Sequence, residues 1–166
     1  MQEFCLEYCK ANAVRERQEQ AKMLQPPDWR PFFMAQATGA SKSAFDLLAQ
    51  GPRQRSDRLQ RRFKDGRTGD IYEAVLAAIA ATGPRTELPY DELRASLRTV
   101  LAEEPPRRHE VTRVLDEMSK IARTKIEGEP VVEYDETYDT IFISDPFFAF
   151  FLRWGAPAGV GDPLTT

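Results

Sequence analysis

The chain has 166 residues, of which 42% are hydrophobic and 30% charged, with a formal net charge of −3. These values fit one soluble globular domain, or a domain with a smaller appendage, and exclude a polycation that holds nucleic acid through bulk charge. No apolar run approaches the ~20 residues of a membrane span, and Met1-Gln2-Glu3-Phe4 lacks the basic and apolar regions of a signal peptide, so a cytoplasmic protein with no membrane partner is expected.

Residues 1–25 read as a helix: Phe4, Tyr8, Ala11 and Val14 fall at helical spacing, Arg15 to Lys22 continues it as a polar face, and Pro26-Pro27 ends it. Cys5 and Cys9 stand four apart on that helix, a poor geometry for a disulfide. With one histidine in the chain, His109, no metal site is expected, and both cysteines read as small apolar residues. Asp28-Trp29-Arg30-Pro31-Phe32-Phe33 predicts a short helical turn. Ser41 or Ser43 caps a further helix through Phe45, Leu47 and Leu48, which Gly51-Pro52 ends.

Residues 53–67 are strongly basic. Arg53, Arg55, Arg58, Arg61, Arg62, Lys64 and Arg67 stand against only Asp57 and Asp65. Ser56 predicts the cap of a short helix carrying Leu59 and Phe63. Two readings stay open for this stretch: a solvated linker or helix face, or a segment that contacts phosphate or an ATPase domain.

Thr68-Gly69-Asp70 opens the clearest helix, with Ile71, Tyr72, Val75, Leu76 and Ile79 as its apolar stripe and Thr82-Gly83-Pro84 as its end. A linker over 85–88 leads to Pro89 at the next helix start, and Tyr90, Leu93, Leu97, Val100 and Leu101 form that stripe. After the break at Glu103-Glu104-Pro105-Pro106, a third helix from about Arg107 to Thr124 buries Val111, Val114, Leu115, Met118, Ile121 and Ala122. Two β-branched and aromatic runs, 131–134 and 140–143, flank an acidic turn and predict a hairpin. Asp145-Pro146 then places an N-cap acceptor before a proline at the first helical position. The helix it opens, through Phe147, Phe148, Phe150, Phe151 and Trp154, has aromatics on too many sides to lie free on a surface. The glycine- and proline-bearing tail after Trp154 reads as disordered.

Three helices followed by a two-stranded hairpin is the layout of a winged helix-turn-helix. The expected fold is therefore mainly α with a small β hairpin: a helical, lid-like appendage over 1–66, a winged-helix domain over 68–154 and a disordered tail over 155–166. In such a motif the helix over 107–124 enters the major groove. Arg107, Arg108, Thr112, Arg113 and Lys120, which lie off its apolar stripe, are the expected DNA contacts, joined by Arg61 and Arg62 of the basic segment. His109 reads as a surface residue with no catalytic role. The hairpin argues the other way. Glu127, Glu129, Glu133, Asp135, Glu136, Asp139 and Asp145 crowd it, with no lysine or arginine from 126 to 152.

From about Leu59 to Trp154 the chain resembles the C-terminal region of P-loop ATPases of the AAA/STAND type, the archaeal-ATPase-like proteins. Arg58-Leu59-Gln60-Arg61-Arg62-Phe63 resembles the segment that leaves the ATPase lid, and 71–80 the first winged-helix helix. Residues 143–154, with Asp145-Pro146-Phe147-Phe148, are similar to the closing segment after the wing in those proteins. The resemblance implies a DNA-binding or regulatory module coupled to a nucleotide switch elsewhere. The chain itself has no GxxxxGK[ST] loop; Gly66-Arg67-Thr68-Gly69 lacks the lysine and the preceding strand. No strand ending in an acidic pair is present to hold magnesium. No histidine is placed by motif beside a cysteine or serine, and the acidic pairs Glu103-Glu104 and Asp135-Glu136 read as solvated charge. A non-catalytic protein without a cofactor is expected. Its expected partner is double-stranded DNA. The alternative is a protein-interaction module that docks on an ATPase domain or another protein through the acidic wing and the aromatic helix.

Overall fold

A computed structural model describes residues 2–17, 19–20, 23–37, 40–52, 58–83 and 85–156. The described residues form seven helices and two small antiparallel sheets. In chain order the elements are α1 (Gln2–Ala11), α2 (Trp29–Gln36), α3 (Ala40–Gln50), β1 (Arg61–Arg62), β2 (Thr68–Gly69), α4 (Ile71–Ala81), β3 (Glu87–Pro89), α5 (Tyr90–Val100), α6 (Arg108–Lys125), β4 (Glu133–Asp135), β5 (Thr140–Phe142) and α7 (Pro146–Trp154). The mainly helical class expected from the sequence is the class observed.

Helix α4 is the axis of the core. Tyr72 and every residue from Ala74 to Ala80 are buried, on all sides of the helix. Ala74, Ala77, Ala78 and Ala80 keep its surface thin, which lets α3, α5, α6 and α7 all pack against it. Its start is over-determined. Asp70 Oδ1 accepts from the Tyr72 and Glu73 amides at 2.7 and 3.2 Å, and Glu73 Oε2 accepts from the Asp70 amide at 2.8 Å, a full capping box. Arg58 closes the same corner. Its guanidinium pairs with Asp70, lies 4.5 Å over the Tyr72 ring, and donates to the Gln50 and Pro52 carbonyls at 2.7 and 3.1 Å. The end of α3 is thereby tied to the start of α4. Gly51, at φ +61°, lets the chain turn there, and a Cβ at that position would sit 2.9 Å from the guanidinium.

The helices 71–81, 90–100 and 108–125 lie where the apolar stripes predict them. Two buried hydroxyls link the layers: Ser96 Oγ donates to the Ala78 carbonyl of α4 at 2.7 Å, and Ser119 Oγ accepts the Tyr134 amide of β4 at 2.8 Å. The hairpin β4–β5 is present, shorter than the runs that predict it; Val131 and Val132 are buried ahead of β4. The linker over 85–88 proves to carry a strand. β3 pairs antiparallel with β5, giving the order β3-β5-β4. Leu88 faces the core, fully buried.

Two stretches predicted to be helical differ from the sequence reading. The helix predicted over 1–25 ends at Ala11. Asn12 accepts the Gln25 amide at 2.7 Å and donates to the Gln25 and Tyr8 carbonyls, which folds the chain back, and Ala13 sits at φ 55°. The segment around Leu59 and Phe63 is a hairpin where a helix was predicted. Asp65 Oδ1 accepts the Arg67 amide at 3.0 Å, Gly66 supplies φ +89°, and the Phe63 amide bonds to the Arg67 carbonyl at 2.9 Å. The hairpin then bonds to the chain leaving α5, with Lys64 N–H on the Val100 carbonyl and Ala102 N–H on the Arg62 carbonyl, both at 2.9 Å. The predicted cap Ser56 and residues 157–166 of the predicted disordered tail 155–166 lie outside the described residues. Ser41 and Ser43, the alternative caps for the next helix, fall inside α3. Of the two cysteines, Cys5 is exposed and Cys9 half-buried.

Helix α7 is packed on one side and bare on the other. Phe148, Phe151 and Leu152 are buried. Phe150 and Trp154 meet Phe33 of α2 at ring distances of 5.8 and 4.8 Å. Phe33 and Trp29 continue that contact to Phe4 and Tyr8 of α1. Phe147, at the first turn, is 74% exposed.

Candidate nucleic-acid interface

Four of the residues expected to contact DNA are exposed on α6 or at its N-cap, and the other three are placed differently. Arg107, Arg108, Arg113 and Lys120 are all exposed, and His109 is exposed among them. Thr112 is half-buried, its hydroxyl turned back toward the His109 carbonyl at 3.4 Å. Arg62 is exposed on β1. Arg61, its neighbour, points the other way, because successive strand residues face opposite sides. It is 9% exposed, with its guanidinium 3.7 Å from Glu103 and 3.9 Å from Glu110. Arg61 therefore meets the first turn of α6 from below and is not grouped with the exposed cations.

The cations of α6 differ in what surrounds them. Lys120 bonds Glu117 on its own helix at 2.9 Å, which raises its pKa. Arg123 pairs with Glu133 of β4. Arg108 donates to Asp139 Oδ2 at 2.7 Å while its guanidinium lies 4.4 Å over the Tyr90 ring; the bond to Asp139 raises its pKa. Arg107 and Arg113 have no carboxylate partner among the described residues. The chain enters α6 with the Glu110 carboxylate accepting the Arg107 amide at 2.8 Å, which leaves the Arg107 side chain outside the cap.

Asp139 is the residue that sequence reasoning missed. It sits in the turn between β4 and β5 at φ 51°. Its backbone carbonyl accepts the Tyr90 amide at the start of α5 at 2.9 Å. One carboxylate oxygen takes Arg108; the other accepts the Tyr134 hydroxyl at 2.7 Å. Burial, reinforced by that bond to a carboxylate, pushes the Tyr134 phenol well above its ordinary range. Burial also raises Tyr90, against the opposing pull of Arg108. One acidic residue thus joins the starts of α5 and α6 to the hairpin turn. An Asp-rich turn gives no sign in the sequence that one of its carboxylates faces a helix thirty-one residues upstream.

The remaining hairpin acids are set apart from this joint. Asp135 caps its own turn, accepting the Thr137 and Tyr138 amides at 2.8 and 3.2 Å, and Glu136 is exposed at the tip beside Tyr138, 75% exposed. Behind α7, a groove of about 500 Å³ is lined by Phe33, Ile143, Pro146, Phe150, Arg153 and Trp154 among others. Among the described residues no helix is long and apolar enough to cross a membrane, and no group of three or more His, Cys, Asp or Glu side chains is placed to hold a metal ion. No protein-family model matches the chain, nor does any curated protein or solved structure.

Proposed function

We propose that residues 68–154 act as a winged helix-turn-helix, the non-catalytic DNA-binding or regulatory module of an ATPase of the AAA/STAND type. The connectivity supports the fold assignment: helix, strand, helix, helix, strand, strand, with the first strand added to the hairpin beside its second strand. The observation that carries the functional reading is the pair Arg107 and Arg113. Both are exposed cations, Arg107 at the N-cap and Arg113 in the N-terminal half of α6, without carboxylate partners among the described residues, on the helix that a winged helix presents to the major groove. Glu133 and Asp139 are bonded back onto α6, so part of the hairpin's negative charge is compensated within the fold. Asp135 and Glu136 at the tip keep that edge off the phosphates, which leaves a contact led by the helix.

The test is a titration of fluorescent duplex DNA at two salt concentrations. Wild type binds at low salt, and Arg113→Glu weakens binding and lowers the slope of log affinity against log salt by about 0.9, the value of one phosphate contact. Glu136→Gln binds as well as wild type or slightly better. Absence of binding by wild type at low salt removes the DNA reading.

A second reading has its own observation. Phe147 and Tyr138 are 74% and 75% exposed, large rings on α7 and at the hairpin tip. Docking of an ATPase domain or another protein on the acidic hairpin and α7 would cover them. Under that reading Phe147→Asp abolishes association with the partner and leaves DNA titrations untouched.

A further inference from the structure

Arg108 is prepared for an anion and already holds one. Its guanidinium is oriented by the Tyr90 ring, 4.4 Å away, a contact that uses no N–H donor. Of its five N–H donors, the one bonded to Asp139 Oδ2 at 2.7 Å is the contact that closes the site. The ring and the main chain that place it do not depend on this bond. The Tyr90 amide is held by the Asp139 carbonyl, and the Asp139 side chain is held independently by the Tyr134 hydroxyl. The ion pair itself is open to water: the Arg108 and Asp139 side chains are 58% and 34% exposed. An exposed pair of this kind is weak and easily exchanged for another anion. The exposed Arg107 side chain stands next to it in the chain, without a carboxylate partner among the described residues.

From this geometry we infer that Arg108 is a phosphodiester-binding site held closed by Asp139, whose carboxylate occupies the guanidinium until a DNA phosphate displaces it. The inference rests on the DNA reading above and adds its regulation: the hairpin turn carries an internal competitor for the backbone of the duplex. Displacement needs no movement of α6. Asp139 keeps its bond to Tyr134 and loses only the bond to Arg108.

The variant that isolates this step is Asp139→Asn. Asparagine tolerates the φ of 51° at this position, keeps an oxygen for the Tyr134 hydroxyl and keeps the main-chain carbonyl for Tyr90. It removes the negative charge that faces Arg108 and, with its oxygen on the Tyr134 hydroxyl, turns an amide NH2 toward the guanidinium. Duplex DNA is titrated over a range of salt with wild type, Asp139→Asn, Arg108→Gln, the double variant, and Glu136→Gln as a control for net charge. Asp139→Asn is expected to tighten binding at low salt by roughly several-fold, because the phosphate no longer competes with a carboxylate for Arg108, while the slope of log affinity against log salt stays close to wild type. Arg108→Gln loses about 0.9 from that slope, one phosphate contact, and the double variant binds like Arg108→Gln with no gain from the asparagine. If wild type binds but Asp139→Asn binds no more tightly, if Glu136→Gln tightens binding equally, or if the double variant keeps the gain, the competitor role of Asp139 is overturned and the DNA reading stands. If neither wild type nor Asp139→Asn binds at any salt, the DNA reading fails and this site falls with it.

Discussion

At the scale of single residues, the joint between the hairpin and the two helices turns on Tyr134 and Asp139. Tyr134 is 8% exposed and its hydroxyl bonds Asp139 at 2.7 Å, so ionising the phenol would bury a second anion against the Asp139 carboxylate. Its folded pKa therefore lies above the ordinary 10.0, and the stability it contributes is complete below pH 10 and lost as pH rises toward the folded value, because unfolded tyrosine releases its proton first. Tyr90, raised in the same direction, adds to the effect. Urea unfolding at pH 9 and at pH 11 should show a marked loss for wild type and a smaller loss for Tyr134→Phe. At neutral pH that variant should cost about 0.5–1.5 kcal/mol, the worth of one hydrogen bond. An equal alkaline loss in the two proteins would remove Tyr134 from the account.

At the scale of elements, α7 separates core from surface within two adjacent residues. Phe148 is 1% exposed and packs into the main core, whereas Phe147 is 74% exposed. Phe148→Ala should cost about 3–5 kcal/mol and Phe147→Ala about 0.5 kcal/mol or less, both read from thermal melting. Similar melting temperatures for the two variants would contradict the packing described. The start of this helix was legible, because an aspartate before a proline satisfies the first amides with a side-chain acceptor and removes one donor; Asp145 Oδ1 does accept the Phe147 amide at 2.8 Å. The apolar stripes of α4, α5 and α6 were legible for a similar reason: burial on a helix repeats every three to four residues. Strand β3 was not. Three residues are too few for an alternation to show, and Pro89 at its end reads as a helix start, which it also is. The β1–β2 hairpin was misread because Leu59 and Phe63, four apart, imitate a helical pair. Asp65-Gly66 was the turn signal that could have decided it.

At the scale of the whole molecule, charge is where sequence reading was weakest. The hairpin acids count against DNA when they are added up along the chain. In the fold, Asp139 and Glu133 face Arg108 and Arg123 across separations of thirty-one and ten residues. The same contacts engage two cations of α6, while Arg107 at its N-cap and Arg113 near its start have no carboxylate partner among the described residues. Arg61 likewise turns inward at the foot of α6 while Arg62 stays outside, a difference set by strand alternation that composition cannot register.

The exposed face of α6 is the surface we propose for contact with duplex DNA. The most direct measurement follows the backbone amide resonances of the isotope-labelled chain as a short duplex is added at low salt. The predicted result is a set of shifts concentrated on residues 107–113 and at Lys120, with Tyr90 and Asp139 responding as Arg108 exchanges its partner, and with Phe147 and the rest of α7 unchanged. Shifts confined to α7 and the hairpin tip, or no shifts at all, would contradict it.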